Sequence, residues 1–207
     1  MKILIGTPIH IVKDYSMERW LKNVAELTLV TPADLLMIDN SPGLDYVEKV
    51  KGYCEKYKIK NYKILHLELP PEQGVYERVA RVREVIRHII LSQYYDVWFS
   101  WECDQLIPNN GLSELLKMME SGNFTIASHS TWTRENQEEI LDELFGTTLI
   151  SRDCLVKHGF LLEFGTDPDM PDTWEPGEKW FKTRVLRDGG SSIEGDGLLN
   201  PVYHLEK

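Results

Sequence analysis

The chain has 207 residues, 42% of them hydrophobic, and a formal net charge of -10, which suits one globular domain with a substantial core, read here as a single domain over residues 1–207. That acidic balance argues against broad non-specific binding to nucleic acid or anionic membrane, which need a basic surface, but it leaves room for a local basic pocket around one phosphorylated ligand. No apolar run reaches the roughly 18 residues of a transmembrane segment, and the three cysteines (Cys54, Cys103, Cys154) are too far apart for a C-x-x-C pair, so reduced, buried thiols are expected rather than disulfides or a zinc site.

Lys2 to Thr7 reads as a buried strand ended by Gly6-Thr7-Pro8. It follows Met1 without a signal-peptide core, which implies a soluble, cytoplasmic protein. Ser16 to Leu27 follows as a helix with Met17, Trp20, Leu21 and Val24 on one face. Asp34 to Ile38 is a second strand, closed by the turn signal Asp39-Asn40-Ser41-Pro42-Gly43. Val47, Val50, Cys54 and Tyr57 mark a second helix and Tyr62 to Leu67 a third strand. After the Pro70 to Gly74 loop, Val75, Val79, Val82, Ile86, Ile89 and Ile90 give the core stripe of a long third helix. Strands alternating with helices predict an α/β fold: a mostly parallel, Rossmann-like central sheet flanked by helices, with ligands beyond the carboxyl ends of the strands.

The fourth strand, from Asp96 into Trp101, ends in Glu102-Cys103-Asp104. If the strand continues through this tripeptide, Glu102 and Asp104 share a face while Cys103 points the other way. Two such carboxylates make half of a site for Mg²⁺ or Mn²⁺ with room for a phosphate. A solvated acidic turn is the alternative, since acid-x-acid is common in any chain.

The second half reads as a helix over Leu112 to Met119, a strand over Phe124 to Ser128, and an acidic helix over Glu135 to Phe145. A strand over Thr147 to Ser151 and a helical turn over Cys154 to Gly159 follow. Pro168, Pro171 and Pro176 break regular structure between Gly165 and Gly177, which reads as a mobile or substrate-facing loop. Trp180 to Leu186 is helical, and Gly195 to Leu205 is a final extended segment.

In the order of these signals the chain resembles the GT-A glycosyltransferases, especially family 2-like members that use nucleotide-diphosphate sugars. The resemblance rests on a first strand ending near Thr7-Pro8, on Met37-Ile38-Asp39-Asn40-Ser41, on Gly74-Val75-Tyr76-Glu77-Arg78, and on the acid-x-acid motif after strand four. It implies a nucleotide lying across Thr7, Pro8, Asp39 and Arg78, with Arg81 behind, and the diphosphate at Glu102-Cys103-Asp104. A carboxylate at a strand end can accept from a ribose hydroxyl or base N–H, although Asp39 in this sequence also suits a plain Asx-turn. A guanidinium at Arg78 can grip pyrophosphate, while Arg78, Arg81, Arg83 and Arg87 also suit a solvated helix face paired with Glu77 and Glu84.

The resemblance further implies a Mn²⁺ or Mg²⁺ ion on Glu102 and Asp104, the family's DxD motif with Glu for the first Asp, and a third ligand at His204. The extra methylene of Glu102 alters ligand geometry, so Asp104 is the first ligand. On the acceptor side, Gly177-Glu178-Lys179-Trp180 resembles the segment that carries the base of inverting enzymes, with Lys179 where a second acid is expected. Glu178 is the first candidate base and Glu175 and Asp172 follow; a retaining mechanism stays open. Trp174 and Trp180 are candidate sugar platforms, Arg184 and Arg187 candidate diphosphate contacts, and His10, His129 and Trp132 pocket candidates. The reading is a metal-dependent glycosyltransferase, UDP-sugar favoured, acting on a carbohydrate or other hydroxyl acceptor. A catalytically silent sugar-nucleotide-binding or protein-interaction module of the same fold is the alternative. A nucleotidyltransferase would be expected to carry a Gly/Arg-rich loop after strand one, which Gly6-Thr7-Pro8-Ile9-His10 lacks.

Overall fold

The structure is a computed structural model that describes residues 1–129 and 145–207, together with the backbone of 131–134 and 137–140. Its main sheet has seven strands in the order β10-β6-β9-β4-β1-β2-β3. These are β1 (Ile3–Ile9), β2 (Asp34–Asp39), β3 (Tyr62–His66), β4 (Val97–Trp101), β6 (Ile126–Ser128), β9 (Thr147–Ser151) and β10 (Ser192–Glu194). β1 runs parallel to β2 and β4, β2 to β3, and β10 to β6, while β9 is antiparallel to both β4 and β6. The helices are α1 (Asp14–Val30), α2 (Asp45–Lys56), α3 (Val75–Ser92), α4 (Gly111–Ser121), α5 (Arg152–Lys157) and α6 (Gly177–Arg187).

Alternation along the central strands builds two cores. Ile3, Ile5 and Ile9 of β1 and Val97, Phe99 and Trp101 of β4 pack with Trp20 of α1, Val50 of α2 and Leu115 of α4. Leu4 and Trp98, one residue out of step, pack on the other face with Val82, Ile86 and Ile90 of α3, Leu155 of α5 and Phe181 of α6. Gly6 lets α3 approach closely: a Cβ there would lie 2.6 Å from both Ile86 Cγ2 and Trp98 Nε1, and Trp98 Nε1 donates to the Gly6 carbonyl at 2.9 Å. Strand order reverses between β1 and β4, since β1 leads on to β2 on one side and sits beside β4 on the other. In open α/β sheets that is where ligands bind.

A second, four-stranded sheet of order β5-β11-β7-β8 lies next in the chain to the acid motif. β5 (Gln105–Leu106) follows Asp104 directly and pairs antiparallel with β11 (Tyr203–His204), which touches β7 (Thr131–Arg134); β7 forms a hairpin with β8 (Gln137–Ile140).

Three expectations need correction. Residues 137–140 form a strand, not part of an acidic helix: cross-strand pairing with β7 overrides the helical propensity of a Glu-rich segment. Of the rest of that helix, Phe145 lies in a turn, and 135, 136 and 141–144 lie outside the described residues, as does the Trp132 side chain. The fourth strand stops at Trp101, so Glu102-Cys103-Asp104 is a turn, closed by Gln105 N donating to the Glu102 carbonyl at 3.1 Å. The tail from Gly195 to Leu205 is not one extended segment, since within it only Tyr203–His204 is strand and residues 196–200 turn. Among the described residues no helix is long and apolar enough to cross a membrane.

Candidate functional site

A cavity of about 240 Å³ opens at the β1/β4 reversal, between Pro8 to His10 at the end of β1, Ser100 to Cys103 at the end of β4, and Arg78, Val79 and Arg83 on α3. A larger hollow of about 620 Å³ lies at the opposite, amino ends of β1 and β2, lined by Met1, Lys2, Asp34 and Lys58. The smaller one is the cavity bordered by the acid turn, through Glu102 and Cys103, and by Lys13.

The turn replaces strand alternation as the reason the two acids converge. Glu102 N donates to the Gly146 carbonyl at 2.8 Å, which anchors the first residue to the start of β9. Cys103 is turned into the α1 core, and Leu205 N donates to the Asp104 carbonyl at 2.7 Å, which fixes the last residue to β11. With His204 opposite Gln105 in the β5/β11 register, its Nε2 lies 3.7 Å from Asp104 Oδ2. Ligand atoms of Glu102, Asp104 and His204 all fall within 4.8 Å of one another.

Asp104 is 2% exposed. Its Oδ2 meets the Lys13 ammonium at 2.9 Å and accepts from Tyr15 Oη at 3.3 Å, whereas Oδ1 is buried without a hydrogen-bond partner among the described residues. An orphaned carboxylate oxygen beside a second carboxylate and an imidazole fits the donor set of Mn²⁺ or Mg²⁺. Lys13 also reaches Glu102 Oε2 at 3.9 Å. Burial alone would lower the Lys13 pKa, but the charges of Glu102 and Asp104 and the hydrogen bond to Asp104 outweigh it, so the ammonium is held charged. Burial pushes the Glu102 carboxyl up, against the pull of Lys13, and the neighbouring Asp104 and Glu178 charges push the same way.

Glu178, in the first turn of α6, is ion-paired with Arg83 of α3 and accepts from Phe145 N at 3.0 Å. Arg83 is 4% exposed, and its guanidinium lies over the Phe145 ring at 5.5 Å. This buried pair ties α3, α6 and the residues before β9 together behind the acid turn.

The remaining expected residues divide into those on the cavity and those away from it. Pro8 and Arg78 line it, and the buried Arg78 Nε has no hydrogen-bond partner among the described residues while its Nη2 donates to the Pro71 carbonyl at 2.9 Å. Thr7 is fully buried and donates to the Trp101 carbonyl at 2.8 Å, so it staples β1 to β4. Asp39 is also fully buried: Oδ1 accepts from Ser41 N at 3.1 Å and from Ser41 Oγ at 2.6 Å, while Oδ2 meets His66 Nδ1 at 2.7 Å. This is the Asx-turn that the sequence offered as the alternative. Arg81 lies on Glu77, one turn back on the same helix, through two bonds of 2.9 and 2.8 Å. Burial pushes the Cys103 thiol up to about 12, which keeps it protonated.

Glu175 accepts from Tyr76 Oη at 3.5 Å, and Asp172 is exposed in the irregular segment before α6. Trp180 is 4% exposed beneath Arg184 and Arg187, which makes it a core residue rather than an open sugar platform. Those arginines hold the irregular segment, Arg184 through the Gly159 carbonyl and Arg187 through Asp167 at 2.6 Å. Trp174 packs edge-on against Phe164, and His129 Nδ1 meets the Gly195 carbonyl at 2.8 Å. His10 lines the cavity, where burial lowers its pKa and keeps the ring neutral.

Sequence reasoning missed Lys13, Tyr15 and Arg83 at the acid turn. A lone lysine four residues past the end of β1 has no spacing signature, and Arg83 looked like one of several arginines on an exposed face. Its place between Val82 and Ile86 on the buried stripe was the available signal.

No protein-family model matches the chain, and no curated protein matches it in sequence. Solved structures do match in shape. S. aureus TarS aligns at TM-score 0.70 and 12% identity, over 100% of this chain and 37% of that one. TarS 1-349 in complex with UDP-GlcNAc aligns at 0.69 and 12%, over 100% and 59%. The mannosyltransferase PcManGT from Pyrobaculum calidifontis, in complex with GDP-Man and Mn²⁺, aligns at 0.70 and 12%, over 100% and 57%. The chain has the GT-A fold. At this identity the likeness is one of architecture, and the chain spans between about a third and three fifths of the structures it matches.

Proposed function

We propose that this chain is a divalent-metal-dependent glycosyltransferase that moves a sugar from a nucleoside-diphosphate donor, UDP-sugar favoured, to an acceptor hydroxyl. The observation that carries the reading is the convergence of Glu102, Asp104 and His204, with a buried orphan oxygen on Asp104, at the strand-order reversal of a GT-A fold. Complexes of the structural neighbours with UDP-GlcNAc, and with GDP-Man and Mn²⁺, support the donor class. In this reading residues 1–207 act as a single GT-A domain. Buried, free cysteines agree with a cytoplasmic setting.

Asp104 and His204 would hold Mn²⁺ or Mg²⁺, with Glu102 completing the set. The ion would supply positive charge to the leaving diphosphate. Pro8 and Arg78 would border the nucleotide, and the unpartnered Arg78 Nε suits a phosphate or carbonyl oxygen. Thr7 and Asp39 would act by fixing the strand ends, and Arg81 and Cys103 by packing beside the site. For an inverting reaction, the acceptor oxygen attacks the anomeric carbon as its bond to the diphosphate breaks, and the hydroxyl proton passes to a carboxylate. Glu178 is the first candidate for that base, with Glu175 and Asp172 next.

One observation favours the second reading, a silent sugar-nucleotide-binding or protein-interaction module: both Glu178 oxygens already have partners in Arg83 and Phe145 N. Thermal unfolding with UDP-GlcNAc and with GDP-mannose, each with and without Mn²⁺, tests the donor site. A ligand at about 100 times its Kd adds about 2.7 kcal/mol, which in a chain of this size raises Tm by roughly 5–10 °C. A shift that needs sugar nucleotide and Mn²⁺ together is expected. No shift with any combination would overturn the donor assignment.

A further inference from the structure

The Lys13 ammonium stands among the groups assigned above to a divalent cation. It lies 2.9 Å from Asp104 Oδ2, the same oxygen that faces His204 Nε2 at 3.7 Å, and 3.9 Å from Glu102 Oε2. It therefore touches two of the three proposed ligands. A cation bound by all three, with Mg²⁺-like bond lengths of about 2.1 Å, would lie against the ammonium. Two positive charges at that separation, in a site where Asp104 is 2% exposed, repel strongly.

We infer that Lys13 is a built-in competitor of the divalent cation: it neutralises Asp104 and Glu102 itself, and the metal enters only as the lysine leaves. The inference rests on the metal site proposed above. Two features make the displacement feasible. Lys13 closes the short 3-10 turn Ile11–Lys13 just before α1, and 37% of its side chain is exposed, so the stem can swing without unpacking a core. It also borders the β1/β4 cavity, where a bound diphosphate would offer the displaced ammonium a new partner. Tyr15, which donates to the same Asp104 oxygen, keeps that carboxylate oriented while its cation changes.

The test is a Mn²⁺ titration followed by electron paramagnetic resonance of the free ion, on the full chain, for the wild type, Lys13→Met and Asp104→Asn. This measures binding without turnover. Lys13→Met should bind Mn²⁺ about tenfold more tightly than the wild type, because the repulsion is gone and the carboxylates remain. An affinity within threefold of the wild type, or weaker, would overturn the inference while leaving the metal site intact. Absence of Mn²⁺ binding in the wild type and Lys13→Met alike would overturn the metal site itself, and the competition with it. Circular dichroism checks that each variant is folded. If Lys13→Met does not fold, Lys13→Gln, which keeps a polar stem and loses the charge, is read against the same limits.

Discussion

Arg83 and Glu178 should prove to be strongly coupled, and the perturbation that shows it is Arg83→Met. The Arg83 side chain is 5% exposed and that of Glu178 21%, so the substitution leaves a largely desolvated carboxylate facing only Phe145 N. Removing one partner of a buried pair costs about 3–5 kcal/mol. Because a fifth of Glu178 still meets solvent and its backbone hydrogen bond survives, the lower end, about 3 kcal/mol, is expected. In a chain of this size that lowers Tm by roughly 6–12 °C. Replacing both partners, Arg83→Met with Glu178→Leu, removes the stranded charge and should recover more than half of the loss. Urea unfolding of the wild type, both single variants and the double variant completes the cycle, with the m-value as a check that the unfolded state is unchanged. A coupling energy below about 0.5 kcal/mol would refute the view that this pair joins α3 to α6 behind the site.

Gly6→Ala should destabilise the chain by about 1–3 kcal/mol through overpacking, because the new methyl meets Ile86 and a Trp98 ring already fixed by its hydrogen bond to the Gly6 carbonyl; denaturant unfolding measures it, and a neutral result would mean that α3 can retreat from β1. Burial pushes the thiols of Cys54, Cys103 and Cys154 up to about 12. At pH 8 almost none is thiolate, so a disulfide reagent should titrate none in the native protein and all three after unfolding; fast reaction of Cys103 in the native state would show that the acid turn opens.

The fold was legible because the central strands and helices carry their own periodicity. Ile3 to Ile9 and Val97 to Trp101 alternate between two cores, and the stripe from Val82 to Ile90 marks α3 without further context. The 137–140 strand was not legible, because it takes its strand form from pairing with a neighbouring strand while local sequence there favours helix. At the site, the acid motif was found for a reason that does not hold. Its carboxylates converge through a turn held by Gly146 and Leu205, not through strand alternation. His204 entered by family resemblance, and the β5/β11 register supplies the physical reason it reaches Asp104. Asp39 shows the limit of position as a guide: at the end of β2 it suits a ligand, yet Ser41 and His66 engage both of its oxygens. Lys13 was invisible because its significance depends on three residues about 90 or more positions away.

The most direct test of the central claim is release of nucleoside diphosphate from UDP-GlcNAc and GDP-mannose, with and without Mn²⁺, by the wild type and by a folded Asp104→Asn variant. The account predicts release from at least one donor that requires the metal and falls by about 100-fold or more in Asp104→Asn. Release that is indifferent to Mn²⁺ and to Asp104, or no release from either donor, would contradict it.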